Sequence, residues 1–164
     1  MTENADTIRE LTILSLSDAI LLIDGVFTEF VAPDYSDEGI EEFRRHISFG
    51  ALGGKLSYGE LIAWGWYDSG MIGGVIAISP SRHINLLFVA RRYQGRGVAC
   101  ALLDRALVYY GAQGTRSEIT VNASPFAVPI YRKLGFAETG DERTVNGIRF
   151  IPMRREPCGP DQSV

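Results

Sequence analysis

The chain contains few of the residues that build metal sites and disulfides. Its 164 residues include two cysteines and two histidines, and their spacing is not that of metal ligands. Cys100 falls within a helical pattern, where we expect a small core residue, and Cys158 lies in a tail that contains proline and glycine. The sequence therefore predicts no metal site, no disulfide and a cytoplasmic location.

Basic charge and long apolar segments are scarce as well. Lysine and arginine total 16 against 20 aspartates and glutamates, which gives a formal net charge of −4. Domains that bind nucleic acid usually have a basic balance, so we expect no nucleic-acid partner. No apolar run is long enough to cross a membrane, and the polar start MTENADTIRE is unlike a signal peptide. An acidic protein instead favours a cationic partner such as an amine.

What the sequence does have is the patterning of one α/β domain. Its length and its 46% hydrophobic content suffice for a single core. Helical periodicity and capping residues predict helices over 17–30, 36–47, 98–110 and 125–134. Alternating or apolar runs predict strands over 10–16, 61–67, 72–78, 84–89, 118–122 and 144–153, and glycines predict a loop over 50–59. Hairpins combined with one strand–helix–strand crossover predict a sheet of mixed direction.

The most informative segment is INLLFVARRYQGRGVACALL, residues 84 to 103. A strand pattern ends at Val89, and a glycine turn from Gln94 to Ala99 opens a helix. The first amides of a helix have no internal partner and lie at the positive end of its dipole, so they bind anions. Gly95 and Gly97 let a phosphate approach the backbone closely. Against the alternative of a tight turn without a ligand, the neighbouring arginines favour phosphate binding, and Arg96 is the best placed of them.

Two segments, in this order, resemble the GCN5-related N-acetyltransferase (GNAT) superfamily. The first, LLFVARRYQGRGVACALL, is similar to the acetyl-CoA motif Q/R-x-x-G-x-G/A, here Gln94, Gly97 and Ala99. The second, VNASPFAVPIYRKLGF, looks like the family's fifth strand and the short helix that ends in Y-x-x-x-G-F, with Tyr131 as its tyrosine. The resemblance implies one N-acetyltransferase domain over residues 8–157, with 158–164 as a flexible tail.

The fold that the resemblance implies is a central twisted sheet of about six to seven strands flanked by about four helices. Strands four and five splay apart into a V-shaped slot. In this slot the main chains of Leu87, Phe88 and Val89 would hydrogen-bond the pantetheine arm of acetyl-CoA, and Leu87 would polarise the thioester carbonyl. Asn122 would lie beside the arm or the substrate, or would only satisfy a turn. The pyrophosphate would contact the amides of six residues, namely Gln94, Gly95, Arg96, Gly97, Val98 and Ala99.

The resemblance also supplies candidates for the chemistry. Tyr131 would be the general acid that protonates the departing thiolate, although it could simply pack on the sheet. His83 lies eleven residues before Gln94, where histone-type members carry a glutamate base, and the competing interpretation is a surface histidine. Glu29 is an alternative base in the loop between the first two helices, where Asp34 and Tyr35 would also shape the acceptor site, and the simpler interpretation is a solvated helix end.

These features together predict an N-acetyltransferase that moves an acetyl group from acetyl-CoA to a primary amine by direct attack. The acceptor would be a small molecule or a peptide, and a homodimer is compatible with the family. The alternative function is a non-catalytic module that binds or senses acetyl-CoA. A Walker-type nucleotide site is disfavoured because Gly97 is not followed by Lys-Ser or Lys-Thr. Trp64 and Trp66, on one face of a strand, are predicted to be core residues.

Overall fold

The computed structural model describes residues 7–112 and 118–156, so the predicted tail and Cys158 lie outside the described residues. The strands are β1 (Thr7–Glu10), β2 (Ile62–Asp68), β3 (Met71–Ile78), β4 (His83–Val89), β5 (Ile119–Ala123), β6 (Ala137–Glu138), β7 (Arg143–Val145) and β8 (Ile148–Arg155). The helices are α1 (Leu16–Val26), α2 (Asp37–His46), α3 (Phe49–Ser57), α4 (Val98–Ala112) and α5 (Val128–Lys133). None of the helices in the described ranges is long and apolar enough to cross a membrane.

The predicted mixed α/β sheet is confirmed. The strands follow the order β1-β2-β3-β4-β5-β8-β6, with β7 paired to β8 beside this path. Among the described strands, β4 and β5 are the only parallel neighbours, and they are joined by the crossover through α4. One core lies between the sheet and α4 and α5, and a second lies on the other face under α1 and α3. The sheet therefore has helices on both faces, as in the central sheet flanked by helices that the resemblance implied.

Tight hairpin turns join β2 to β3 and β7 to β8. Ser69 and Gly70 have φ values of 51° and 82°, and Asn146 and Gly147 have 51° and 79°. Two successive residues with positive φ form the type of turn that follows the right-handed twist of a β-hairpin. Both Trp64 and Trp66 are buried in the core beneath α4, as predicted.

Two predicted elements near the start of the chain differ from the structure. The strand predicted over 10–16 lies earlier, as β1, because Thr12 and Ser15 cap each other's backbone and begin a helical turn there. The loop predicted over 50–59 is mostly α3, which Ser48 caps. A Cβ on Gly53 would lie 3.2 Å from the Ile13 Cδ1, so glycine allows α3 to pack closely against the start of the chain.

The prediction that Cys100 is a core residue is wrong. Helix α4 buries Leu102, Leu103 and Ala106 against the sheet, whereas Cys100 is exposed on another side of the helix. Its Sγ lies 3.8 Å from the Asp104 Oδ2, one helical turn further along. The first turn of α4 therefore leaves this thiol open to solvent.

The β7–β8 hairpin packs against the first turn of α2. Gly39 of α2 lies so close to Gly147 that a Cβ on Gly39 would overlap the Gly147 carbonyl oxygen. Nearby, the Tyr35 hydroxyl donates a hydrogen bond to the Arg149 carbonyl oxygen at 3.1 Å, and the Arg149 Nη1 donates to the Asp34 carbonyl oxygen at 3.0 Å. The hairpin is therefore fixed to the segment between α1 and α2.

This contact gives a prediction for two glycine-to-alanine variants. Alanine is normally the better helix residue by about 0.5–1 kcal/mol, so Gly25→Ala in α1, with no atom within 4 Å of the new Cβ, should stabilise the protein by that amount. Gly39→Ala should instead destabilise it by roughly 1–3 kcal/mol, because the hairpin must move away. Urea unfolding measures both changes, and equal effects of the two substitutions would contradict the packing.

Candidate active site

The parallel pairing of β4 and β5 ends after two residue pairs. His83 pairs with Thr120 and Ile84 pairs with Val121, and no further residues of the two strands are partners. β5 continues as the antiparallel partner of β8 as far as Ala123. A wedge-shaped gap therefore opens between β4 and β5, as the fold prediction requires.

A bulge in β4 turns its backbone toward this gap. Ile84 pairs with Ile78 and Leu86 with Ala77, so Asn85 is an extra residue without a partner in β3. Before the bulge, the Arg82 carbonyl accepts from the Thr120 N–H of β5 at 3.1 Å.

Along β4, the backbone N–H and C=O groups of successive residues face β3 and the gap in turn, and the bulge reverses this order. The Ala90 N–H donates to the Gly73 carbonyl of β3 at 2.9 Å, and the backbone of Phe88 faces β3 in the same way, opposite Val75. The N–H and C=O groups of Leu87 and Val89 consequently face the gap. The expectation that the Phe88 main chain also faces the gap is not met, because the extra residue in β4 inverts the pattern.

The glycine turn lies at the start of α4, next to the gap. Gly95 and Gly97 have φ values of 74° and 80°, and a Cβ built on either would meet no atom within 4 Å. The Gln94 Nε2 donates to the Val89 carbonyl at 3.0 Å and so ties the turn to the end of β4. Val98 begins the helix. Open space before free helix amides is the arrangement that binds phosphate.

Tyr93, which the sequence did not single out, anchors this turn to the end of β2. Its ring is buried, and its hydroxyl donates to the Asp68 Oδ2 at the end of β2 at 2.7 Å. This hydrogen bond raises the pKa of Tyr93 and lowers the pKa of Asp68. The guanidinium groups of Arg92 and Arg96 lie 4.6 and 6.0 Å from the centre of the Tyr93 ring. Arg96 is exposed and does not line the adjoining cavity.

A cavity of about 840 Å³ passes through the sheet at the gap. At one end it is bounded by the glycine turn and the first turn of α4, including Cys100. At the other end it reaches α2, α3 and the β7–β8 hairpin, which lie on the opposite face of the sheet. Two reactants that enter from opposite faces could therefore meet between β4 and β5.

Tyr131 lines the cavity from α5. Only 6% of its surface is exposed, and its ring packs edge-on against Phe136 with centroids 5.4 Å apart. Burial raises the pKa of its phenol well above the usual value, which keeps the hydroxyl protonated at neutral pH. Among the described residues this hydroxyl has no hydrogen-bond partner. It is therefore free to donate a proton to a ligand in the cavity.

His83 lines the same cavity from the start of β4. Its Nδ1 lies 2.8 Å from the Thr120 Oγ1, which fixes the ring and leaves Nε2 as the second nitrogen. Burial lowers the pKa of the imidazole below its usual 6.5, so the side chain is neutral and basic at pH 7.

The other candidates occupy different positions. Glu29 does not line the cavity, and its Oε1 is 2.5 Å from the Arg91 Nη1. Asp34 also lies outside the lining, whereas Tyr35 is part of it. Asn122 lines the cavity from β5, opposite Pro152 of β8. The structure thus brings His83, Tyr131, Asn122, the β4 backbone and the glycine turn together, but not Glu29.

The aromatic character of part of the cavity lining is not apparent from the sequence. The rings there come from segments far apart in the chain, so no local pattern indicates them. They include Phe30, Tyr35, Phe43, Phe88, Phe126 and Phe150. Phe30 lies in a π-helical turn that follows α1, Phe27–Val31, and such turns are frequent at functional sites.

Comparison with known proteins agrees with this architecture. Residues 31–157 match the family model of the acetyltransferase (GNAT) domain. The chain therefore belongs to the GNAT acetyltransferase family, whose members are acyltransferases. No curated protein matches its sequence significantly.

Solved structures share the fold at low sequence identity. A GCN5-related N-acetyltransferase from Rhodopseudomonas palustris has 22% identity and a TM-score of 0.79, over 95% of this chain and 98% of that one. The PaiA N-acetyltransferase from Thermoplasma acidophilum, solved in complex with coenzyme A, has 21% identity and a TM-score of 0.75, over 93% and 99%. The apo form of YjaB from Escherichia coli has 19% identity and a TM-score of 0.70, over 92% and 97%.

The Tyr93–Asp68 hydrogen bond predicts how the glycine turn is held. In Tyr93→Phe the turn loses its anchor, so amide hydrogen exchange over residues 91–97 should become faster by about two- to tenfold. Tyr58→Phe is the matched control because Tyr58 is 85% exposed, and it should leave that exchange unchanged. Exchange mass spectrometry measures both, and unaltered exchange in Tyr93→Phe would show that the turn is held by other contacts.

Proposed function

We propose that this protein transfers an acetyl group from acetyl-CoA to a primary amine of a small molecule or a peptide, by direct attack of the amine. The proposal is carried by one observation. The open backbone of Leu87, the glycine turn and Tyr131 all border the same gap between β4 and β5. They match the needs of thioester aminolysis, which are a donor to the oxyanion, a holder for the pyrophosphate and an acid for the leaving thiolate.

The donor site consists of the glycine turn and the edge of β4. The amides from Gln94 to Ala99 bind the pyrophosphate of acetyl-CoA, and the open space above Gly95 and Gly97 fits such a group. Leu87 and Val89 hydrogen-bond the pantetheine arm as an added strand would, and Asn122 borders the arm from β5. Bound acetyl-CoA supplies the activated acetyl thioester.

The Leu87 N–H donates to the thioester carbonyl oxygen as negative charge develops on it. One such donor contributes roughly 2.7–4 kcal/mol to the transition state. Tyr131 then gives its proton to the departing sulfur. Its raised pKa keeps the hydroxyl protonated until negative charge develops on the sulfur.

His83 accepts the proton that the attacking amine releases, directly or through a water molecule. Its neutral state at pH 7 and its fixed ring support it over Glu29, whose carboxylate is held by Arg91. Cys100 forms no acyl-enzyme in this mechanism, because the amine attacks the thioester directly and the Cys100 thiol contacts the Asp104 carboxylate.

We also propose that the protein works in the cytoplasm and acts on neither nucleic acid nor membrane. The net charge of −4 supports the absence of a nucleic-acid partner, since domains that bind nucleic acid usually have a basic balance. Whether the active form is a homodimer does not alter the chemistry, since the residues assigned above belong to one chain.

The decisive experiment measures CoA release from acetyl-CoA with a panel of primary amines. We expect at least one amine to release thiol, and Tyr131→Phe to lower kcat by about a hundredfold or more, since general acids contribute at least that much. Acetyl-CoA affinity should be unchanged in the variant. Tyr58→Phe serves as the control with an exposed tyrosine. Binding of acetyl-CoA without thiol release by any amine would identify a sensing module, and an unchanged kcat in Tyr131→Phe would remove its role as the acid.

The base is identified by the pH dependence of kcat at saturating amine and acetyl-CoA. Burial lowers the His83 pKa below the usual histidine value of about 6.5. Above that pH the imidazole is therefore in its neutral, basic form, and it is protonated as the pH falls through the lowered pKa. The wild type should therefore show an acid limb below that value. His83→Gln should lower kcat and abolish the limb, whereas Glu29→Gln should keep it. A limb that persists in His83→Gln or vanishes in Glu29→Gln contradicts the assignment.

A further inference from the structure

A large part of the cavity lining is formed by aromatic rings that are not fully buried. They come from the segment after α1, from α2, from β4, from the turn before α5 and from β8. The set, which we name the aromatic wall, is Phe30, Tyr35, Phe43, Phe88, Phe126 and Phe150. An apolar ligand that covers exposed aromatic surface in a concave site removes this surface from water, which favours binding.

The wall closes around both sides of the gap. Phe30, beside α1, stacks on Phe126, beside α5, with ring centroids 5.0 Å apart and planes at 21°. Phe43 of α2 packs against Phe88 of β4 at 5.8 Å. Phe126 remains 36% exposed although it is stacked on one face. A flat ring can therefore extend the stack that these residues have already begun.

Charged groups offer little to a polycation in the same cavity. Among the described residues that line it, Glu42 is the only carboxylate. Glu42 forms an ion pair with Arg45, and its Oε1 lies 3.7 Å from the His46 Nδ1. Lys55 and Lys133 also line the cavity and would repel a second positive charge on the acceptor. This lining therefore favours an acceptor with one amine and an uncharged body.

We propose that the acceptor is a monoamine that carries an aromatic ring, with the ring packed on the aromatic wall and the amine directed to the gap beside His83 and Leu87. This inference rests on the proposed function and specifies its substrate class. Small polar amines leave the wall uncovered, and polyamines place further positive charges near Lys55 and Lys133.

The test compares kcat/KM for phenethylamine, ethanolamine and spermidine at saturating acetyl-CoA. Burial of a phenyl group should give phenethylamine an advantage of at least about tenfold over each of the others. Equal or higher kcat/KM for ethanolamine or spermidine overturns the inference while leaving the acetyltransferase function intact.

Variants of the wall make the test residue-specific. Phe126→Ala should reduce kcat/KM for phenethylamine by about tenfold, with ethanolamine and the KM for acetyl-CoA little affected. Phe30→Ala is a second variant with the same expected pattern. Phe49→Ala is the matched control, because this ring is 49% exposed and lies outside the cavity. Equal losses for phenethylamine and ethanolamine in both wall variants would overturn the aromatic contact.

A failure of the proposed acetyltransferase function can be distinguished from a failure of the inferred aromatic contact. If no amine releases CoA, the enzymatic assignment is lost, and calorimetric titration of the protein saturated with CoA then tests the wall by itself. Tighter binding of phenethylamine than of spermidine, weakened in Phe126→Ala, supports the inference. Tighter binding of spermidine overturns it.

Discussion

The site depends on where β4 and β5 stop pairing. Two parallel residue pairs hold the strands together at His83 and Ile84, and the extra residue Asn85 then inverts the backbone of β4. Unpaired backbone groups inside a sheet are costly unless they find another partner. The groups of Leu87 and Val89 that face the gap are left for a ligand or for water, except where Gln94 already bonds the Val89 carbonyl. A strand edge in the middle of a sheet thus becomes a binding surface.

The same gap joins two environments on opposite faces of the sheet. On the face of α4, helix amides and glycines with positive φ form a polar site of the kind that binds phosphate groups. Toward α2, the lining is apolar, with aromatic rings and one carboxylate among the described residues, which is paired with an arginine. Tyr131 and His83 border the passage between them, and burial raises the pKa of the phenol and lowers the pKa of the imidazole. This division fits two reactants of different chemistry that meet in the middle.

Local chemistry made part of this site predictable from the sequence. The hairpin turns at Gly70 and Gly147 and the glycine turn at Gly95 contain residues that tolerate positive φ. A short sequence motif is enough to reveal such residues. Features that depend on tertiary contacts were not predictable. The bulge at Asn85 leaves an ordinary apolar strand pattern, so the orientation of Phe88 could not be read from it. The Arg91 guanidinium that pairs with Glu29 lies 62 residues away in the chain. The close contact of Gly53 in α3 with the side chains of Ile13 and Leu16 likewise depends on tertiary packing.

The most direct test of this account is a crystal structure of the protein with bound CoA. The account predicts that the pantetheine arm lies between β4 and β5, with hydrogen bonds to the backbone of Leu87 and Val89, and that the pyrophosphate contacts the amides of residues 94–99. It also predicts that the sulfur lies within hydrogen-bond reach of the Tyr131 hydroxyl. An arm bound outside the gap, or strands that pair continuously beyond Ile84, would contradict the central claim.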